Sequence, residues 1–329
     1  MSPHEQGPVT ATAGATGVDP GGTALVFPGM GPVPFTDVAK FMVVHPVARR
    51  LVAAADEVLG YPLVQRYRES SSDYSEAAQV AFLVNCLALA EWSVETLGID
   101  PAVVVGPSFG QRAAAVHSGA LSFADGVRLT ARLARLLDDY FATEHREVVT
   151  RSFVRVPGEQ LDSILVGLTA DGIWHEVSCY LDDDFFMVSL PQSQVDRLDR
   201  EVRGAGGLPL YTMRPPMHCA AFAGLRERAG REVLSTLRFA DPRMPLIEDH
   251  DGAPVATAEQ VRGMLLDHIV RPLHWPRVVA ALRARGVTRV CVAGQDSLFG
   301  RVGTTTRALE VVAVTPRLAM APRRRTVPA

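Results

Sequence analysis

The sequence predicts an α/β protein in which a domain with a mostly parallel sheet is interrupted by an inserted ferredoxin-like subdomain. Three observations lead there. Short apolar runs of buried-strand character, TALVF at 23–27, AVVV at 102–105 and VTRVCVA at 287–293, alternate with long stretches of helical spacing. The middle of the chain breaks that rhythm and reads strand, helix, strand, strand, helix, strand, the βαββαβ order. The 329 residues are 47% apolar and 21% charged, enough to bury a sizeable core.

Residues 1–22 are rich in Gly, Ala, Thr and Pro without periodic apolar positions, which predicts a disordered leader. Strand 23–27 follows and ends in the turn Pro28-Gly29-Met30-Gly31. Helical spacing covers 47–59 and 79–97, then strand 102–105, then helices over 111–117 and 123–141. The inserted unit is expected as strand 150–156, helix 159–170, strands 174–181 and 185–190, helix 192–205 and strand 208–212. A helix over 276–285 leads into strand 287–293, and the basic, proline-punctuated end, 316–329, reads as a flexible tail. The domains are therefore expected at 23–148 and 213–315 for the α/β part and 149–212 for the insert, with a ligand cleft between them.

Bulk properties exclude several classes of function. A formal net charge of −3 gives no reason to expect nucleic acid or a membrane surface as partner. Cys86, Cys179, Cys219 and Cys291 are scattered without ligand spacing, so reduced core thiols are expected and no metal site. No apolar run reads as a membrane span and the N-terminus lacks a signal pattern, which together predict a cytoplasmic protein.

The stretch that carries chemistry is GPSFG at 106–110, between the strand 102–105 and the helix from Gln111. A serine at such a turn exposes its hydroxyl and aims a helix N-terminus at a developing oxyanion. Small residues at strand-to-helix turns are common, so alone the motif leaves Ser108 either a nucleophile or a turn residue.

Wider context joins several segments. FPGMG at 27–31, GPSFG, HSGALSFADGVRL at 117–129, PPMHCAAF at 215–222, PLIEDHDG at 245–252 and PLHW at 272–275 stand in the order seen in another family. From about Thr23 to Val314 the chain resembles the malonyl-CoA:carrier-protein transacylases, the acyltransferases of fatty-acid and polyketide synthesis, whose large domain is hydrolase-like. The resemblance implies Ser108 as the nucleophile and His218 as its general base. It places Asp249 where the family has an asparagine whose carbonyl holds the histidine ring; a carboxylate there could complete a Ser-His-Asp arrangement. Backbone N–H groups of Met30 and Phe109 are the implied oxyanion hole. Gln79 matches a glutamine near the cleft, which helix-surface polarity would explain nearly as well.

Departures from the family bear on the substrate. Malonyl-specific members pair the substrate carboxylate with an arginine whose position falls on Leu133; Arg132 and Arg135 point about 100° and 200° away around the helix. Pro107 replaces a histidine, and Cys179 and Leu181 replace pocket asparagines beside the acidic run 182–184. That run is either a solvated turn or a receptor for an ammonium group. Together these changes predict a larger, non-carboxylated acyl group in a pocket lined by Gln79, Pro107, Leu133, Cys179 and Leu181. FPGMGP, GPSFG, ATEHREVVTRSFVRVP and AGQDSLFGRVG are similar to the discrete acyltransferases of macrolactam antibiotic assembly lines. That likeness implies transfer of a β-aminoacyl or aminoacyl-β-aminoacyl starter from a stand-alone acyl carrier protein to a polyketide synthase loading carrier. The substrate would ride on 4′-phosphopantetheine with no bound cofactor, and Arg151, Arg155 and Arg301 would dock the acidic carrier. Alternatives are an acyl-carrier hydrolase with the same dyad and a non-catalytic docking protein.

Overall fold

The computed structural model describes residues 21–322. Eleven strands form two sheets: β1 (Gly22–Val26), β2 (Pro101–Val105), β3 (Val148–Val154), β4 (Glu176–Asp182), β5 (Phe185–Pro191), β6 (Leu208–Met213), β7 (Leu246–Ile247), β8 (Pro254–Val255), β9 (Leu273–His274), β10 (Val287–Ala293) and β11 (Glu310–Val314). The larger sheet has the order β11-β10-β1-β2-β7-β8 and is parallel except at the β7–β8 edge. The smaller has the order β6-β3-β5-β4-β9 and is antiparallel except where β9 joins β4.

Among the helices that frame them are α1 (Pro46–Leu59), α2 (Glu76–Leu97), α3 (Gly110–His117), α4 (Phe123–Thr143), α5 (Gly158–Ala170), α6 (Val195–Gly204), α7 (Ala258–Val270) and α8 (Trp275–Ala284). Local chemistry sets their ends. Ser75 caps α2 by accepting from the Ala78 N–H, and Gly98 closes it at φ 67°. Ser122 accepts from the Asp125 N–H to start α4, and Thr257 and Gln260 form a reciprocal capping box on α7. Contrary to the sequence reading, α2 is long and apolar enough to cross a membrane; in this fold it is the core helix, buried along most of its length.

Side-chain alternation along β1 and β2 divides the core. Leu25, Phe27 and Val104 face a cluster with α2 and α4, whereas Ala24, Val26, Val103 and Val105 face another with Val278 and Val279 of α8. This second cluster also takes in Phe185 and Met187 of the small sheet, so one apolar layer joins the two sheets. The outer face of the small sheet has its own core, with Phe153, Phe186, Leu161 and Leu198.

The βαββαβ unit runs from β3 to β6 and borrows β9 from the later part of the chain, a pairing too short to read from two residues. Of the expected leader, residues 1–20 lie outside the described residues, while Gly22 already belongs to β1. Within the expected tail, Pro316–Ala319 forms a short helix capped by Thr315, so that stretch is ordered; residues 323–329 lie outside the described residues.

Candidate active site

The turn after β2 is fixed by backbone sterics. A Cβ on Gly110 would sit 1.9 Å from the Phe27 carbonyl oxygen, and one on Gly106 would sit 2.1 Å from the Gly110 carbonyl carbon. Only glycine allows the turn to close this tightly against the end of β1. Ser108, between them, is held at φ 53°, a left-handed conformation that costs a non-glycine residue energy. His218, 110 residues later, is held at φ 66°. These two strained residues meet: Ser108 Oγ lies 2.8 Å from His218 Nε2.

The histidine segment is pinned from both sides. The Cys219 N–H donates to the Ile269 carbonyl at the end of α7, and the Ala220 and Ala221 N–H groups donate to the Glu176 carboxylate of β4. A buried hydroxyl chain, Thr150 to Ser189 to Ser178, ends 3.3 Å from the Cys219 sulfur. The small sheet thus positions the imidazole. Burial pushes the His218 pKa down to about 3, helped by the nearby His250; backbone groups of Arg271 and His268 oppose this. The ring is therefore neutral at physiological pH, with Nε2 free to accept the serine proton.

Asp249 corrects the sequence expectation. Its Oδ2 accepts from the Ser108 N–H at 2.6 Å and its Oδ1 accepts from Gln111 Nε2 at 2.7 Å. Its carbonyl accepts from the His274 N–H, and no hydrogen bond joins Asp249 to the His218 ring among the described residues. Asp249 anchors the turn that carries Ser108 and makes no contact that would orient His218. Burial raises its carboxyl pKa, against the pull of His250, whose Nδ1 is 3.5 Å away.

Met30 and Phe109 flank Ser108 in the wall of one cavity, and neither backbone N–H is engaged by another group among the described residues. The same cavity is lined by Gln79, Arg112 and His268. Its volume is about 60 Å³, room for roughly four to six non-hydrogen atoms.

Four expected pocket residues lie elsewhere. Pro107 is buried in the turn and does not line the cavity, its carbonyl accepting from the Gly110 N–H. Leu133 is packed in the main core, and Leu137, one turn further, reaches the cavity instead. Cys179 and Leu181 join the apolar layer with Val278 and Val279, because the pleat of β4 turns Ser178 the other way, toward Cys219. The acidic run is equally remote: Asp182 accepts from the Thr304 N–H and hydroxyl and pairs with Arg307.

The expectation of a cation-free chamber is also overturned. Arg112, on α3, is 3% exposed and lines the cavity. With His268, whose ring centroid is 6.0 Å from that of His218, it is a site residue that sequence reasoning missed. The signal was weak: Arg112 follows Ser108 by only four residues, but Ser108 precedes α3 at φ 53°, so helical spacing does not relate the two.

Among the three arginines expected to dock a carrier, Arg151 is taken out of play. Its Nε and Nη2 make paired 2.8 Å bonds to Asp199, and its side chain is 13% exposed. Arg155 and Arg301 are exposed. Asp296 holds the loop before Arg301 by accepting from the Leu298, Phe299 and Gly300 N–H groups.

Known proteins share this architecture. A family model described as the VinK acyltransferase small domain matches residues 152–213. The malonyl CoA-acyl carrier protein transacylase of Escherichia coli O157:H7 is 24% identical over 299 residues, covering 88% of this chain and 93% of that one. Its counterpart from Bacillus subtilis strain 168 is 25% identical, covering 88% and 92%. A solved complex of a type II polyketide synthase acyl-carrier protein with its malonyl-transacylase superposes with a TM-score of 0.80 at 23% identity, over 91% of this chain and 98% of that one. The fold is thus that of an α/β hydrolase-like acyltransferase, and the relatives that share it are acyltransferases.

Proposed function

We propose that the chain is an acyltransferase that moves an acyl group between the phosphopantetheine arms of carrier proteins through an ester on Ser108. The observation that carries this reading is the 2.8 Å contact of Ser108 Oγ with His218 Nε2 at a strained turn. That contact occurs in a chain aligned with transacylases over 88% of its length. Ser108 attacks the thioester carbonyl while His218 takes its proton, and the Met30 and Phe109 N–H groups receive the oxyanion. Collapse expels the first carrier's thiolate, which recovers the proton from His218. A second carrier's thiol then gives its proton to His218 and attacks the ester carbonyl; collapse breaks the bond to Ser108 Oγ, which recovers the proton from His218.

Starting one residue past Met30, a cavity of about 500 Å³ is lined by Gly31, Pro32, Gln295, Ser297 and Arg301. It offers a path for the pantetheine arm, with Arg301 at the rim and Arg155 exposed on the small domain as docking cations for an acidic carrier. The acyl group we favour is a β-aminoacyl starter capped as an aminoacyl amide, delivered to a polyketide synthase loading carrier. The match of 152–213 to the VinK small domain supports it. The cavity beside Ser108, about 60 Å³, has the size of the first unit of such a chain.

Mixing the protein with an acyl-loaded carrier and a second holo-carrier, then weighing all three intact, tests the reading. An adduct on the wild-type chain, absent in Ser108→Ala, and migration of the acyl group to the second carrier are expected. Loss of Ser108 lowers transfer by at least about a thousandfold. Free acid without migration would mean a hydrolase, and full transfer by Ser108→Ala would mean a docking protein.

A further inference from the structure

We infer that Arg112 sets acyl selectivity: with Gln79 it forms a subsite for an acceptor oxygen on the acyl group, amide or carboxylate, and turns away a free ammonium. The inference rests on the proposed acyl-Ser108 chemistry and deepens it.

Four features of the side chain support this. The guanidinium, on α3 four residues beyond the nucleophile, lines the same cavity as Ser108. It is oriented: Nη1 donates to Gln79 Oε1 at 3.0 Å, and the Gln79 amide is itself fixed because Nε2 donates to the Tyr74 carbonyl at 2.8 Å. It is packed, lying 4.3 Å from the centroid of the Phe109 ring. It is also incompletely satisfied: Nε is buried without a partner, and no carboxylate pairs with Arg112 among the described residues.

A cation out of water without a counter-charge is costly, and removing it is normally stabilising. Burial pulls the Arg112 pKa down to about 9, so the group stays charged at neutral pH. A buried, oriented, unpaired guanidinium beside a nucleophile has donors to give and repels a second cation. An amide carbonyl accepts such donors, a carboxylate accepts them more strongly, and an alkyl chain leaves them unused.

The test uses N-acetylcysteamine thioesters of four acids: N-acetyl-β-alanine (amide), malonate (carboxylate), butyrate (apolar) and β-alanine (ammonium). Acylation of Ser108 is followed by intact mass in the wild type and in Arg112→Met and Arg112→Lys. The wild type is expected to prefer the amide or carboxylate over butyryl and to take β-alanyl most slowly; which of the first two is faster identifies the source of the oxygen. Arg112→Met should lower the oxygen-to-butyryl rate ratio at least about tenfold, with Arg112→Lys between. Thermal unfolding adds an independent readout: Arg112→Met should melt at or above the wild-type temperature. An unchanged rate ratio, or a markedly lower melting temperature, would make Arg112 a structural residue and overturn the inference. If no thioester acylates the wild type, the Ser108 chemistry fails separately. The subsite is then read from the rise in melting temperature given by malonate or N-acetyl-β-alaninamide to Ser108→Ala, and absence of a rise, or a rise that survives Arg112→Met, overturns it.

Discussion

The turn that carries Ser108 and the cavity beside it differ in how they are made. The turn is local: five consecutive residues, two glycines with no room for a Cβ, and a backbone N–H tied to one carboxylate. The cavity is assembled from distant pieces, with Gln79 on α2, Arg112 on α3, Leu137 on α4 and His268 on α7. On the function proposed above, reaction type is written in a short motif held by sterics, whereas acyl choice is written in a set of positions brought together by packing. A change in the turn should strike the chemistry for every substrate; a change in the wall should re-rank substrates.

The sharpest way to break this contrast is Gly110→Ala. A methyl group 1.9 Å from the Phe27 oxygen must displace β1 or the turn. We expect loss of transfer with all acyl groups and destabilisation of about 4 kcal/mol or more, seen in denaturant unfolding. Acylation at the wild-type rate would show that the turn is not sterically locked.

Substitutions of Asp249 should have a smaller effect. Asp249→Ala leaves the Ser108 N–H and the Gln111 amide unpaired and should lower transfer roughly tenfold to a hundredfold, costing about 1–3 kcal/mol of stability. Asp249→Asn should cost less than about fivefold, far from the ~10⁴-fold seen when an aspartate orients a catalytic histidine. The asparagine oxygen can still accept from Ser108, and the Gln111 oxygen, buried and unpaired, can accept the new amide after a flip. A thousandfold loss in Asp249→Asn would restore the aspartate to the role of base orienter.

The smallest effect concerns pH. With its folded pKa near 3, His218 stays neutral well below the ordinary imidazole range. Single-turnover acylation should change by less than about twofold between pH 7.5 and 5.5, where a histidine of ordinary pKa would lose about tenfold. Stability moves the other way. Below pH 6.5 the unfolded chain binds protons that buried His218 and His268 refuse, so unfolding free energy falls as pH drops from 6.5 toward 3. An acid limb near pH 6.5 in single-turnover data would place the base in a wetter setting.

Much of this was legible beforehand because it is periodic or local. Alternating strands and helices, the βαββαβ middle and the glycine-flanked serine each need only neighbours in sequence to be read. His218 was found through the order of short segments around it. Asp249 was misassigned because its position implied proximity to the dyad without saying which member its carboxylate would meet. Leu133 and Leu137 show the limit of helical phase: both lie on the buried side of α4, and only the packing of α2 and α3 against it decides which one reaches the cavity. Arg151 looked like a free surface cation until α6 brought Asp199 against it.

The sequence by itself determined the layers of the fold and the glycine-flanked turn that carries the candidate serine, because backbone sterics and side-chain periodicity act over a few residues. Tertiary structure alone decided that Arg112 and Leu137, rather than Leu133, line the cavity beside Ser108, and that the aspartate holds the serine's backbone. Those outcomes depend on which of several buried polar groups finds which partner across 33 and 141 residues of chain, a choice made by desolvation and packing of the whole domain.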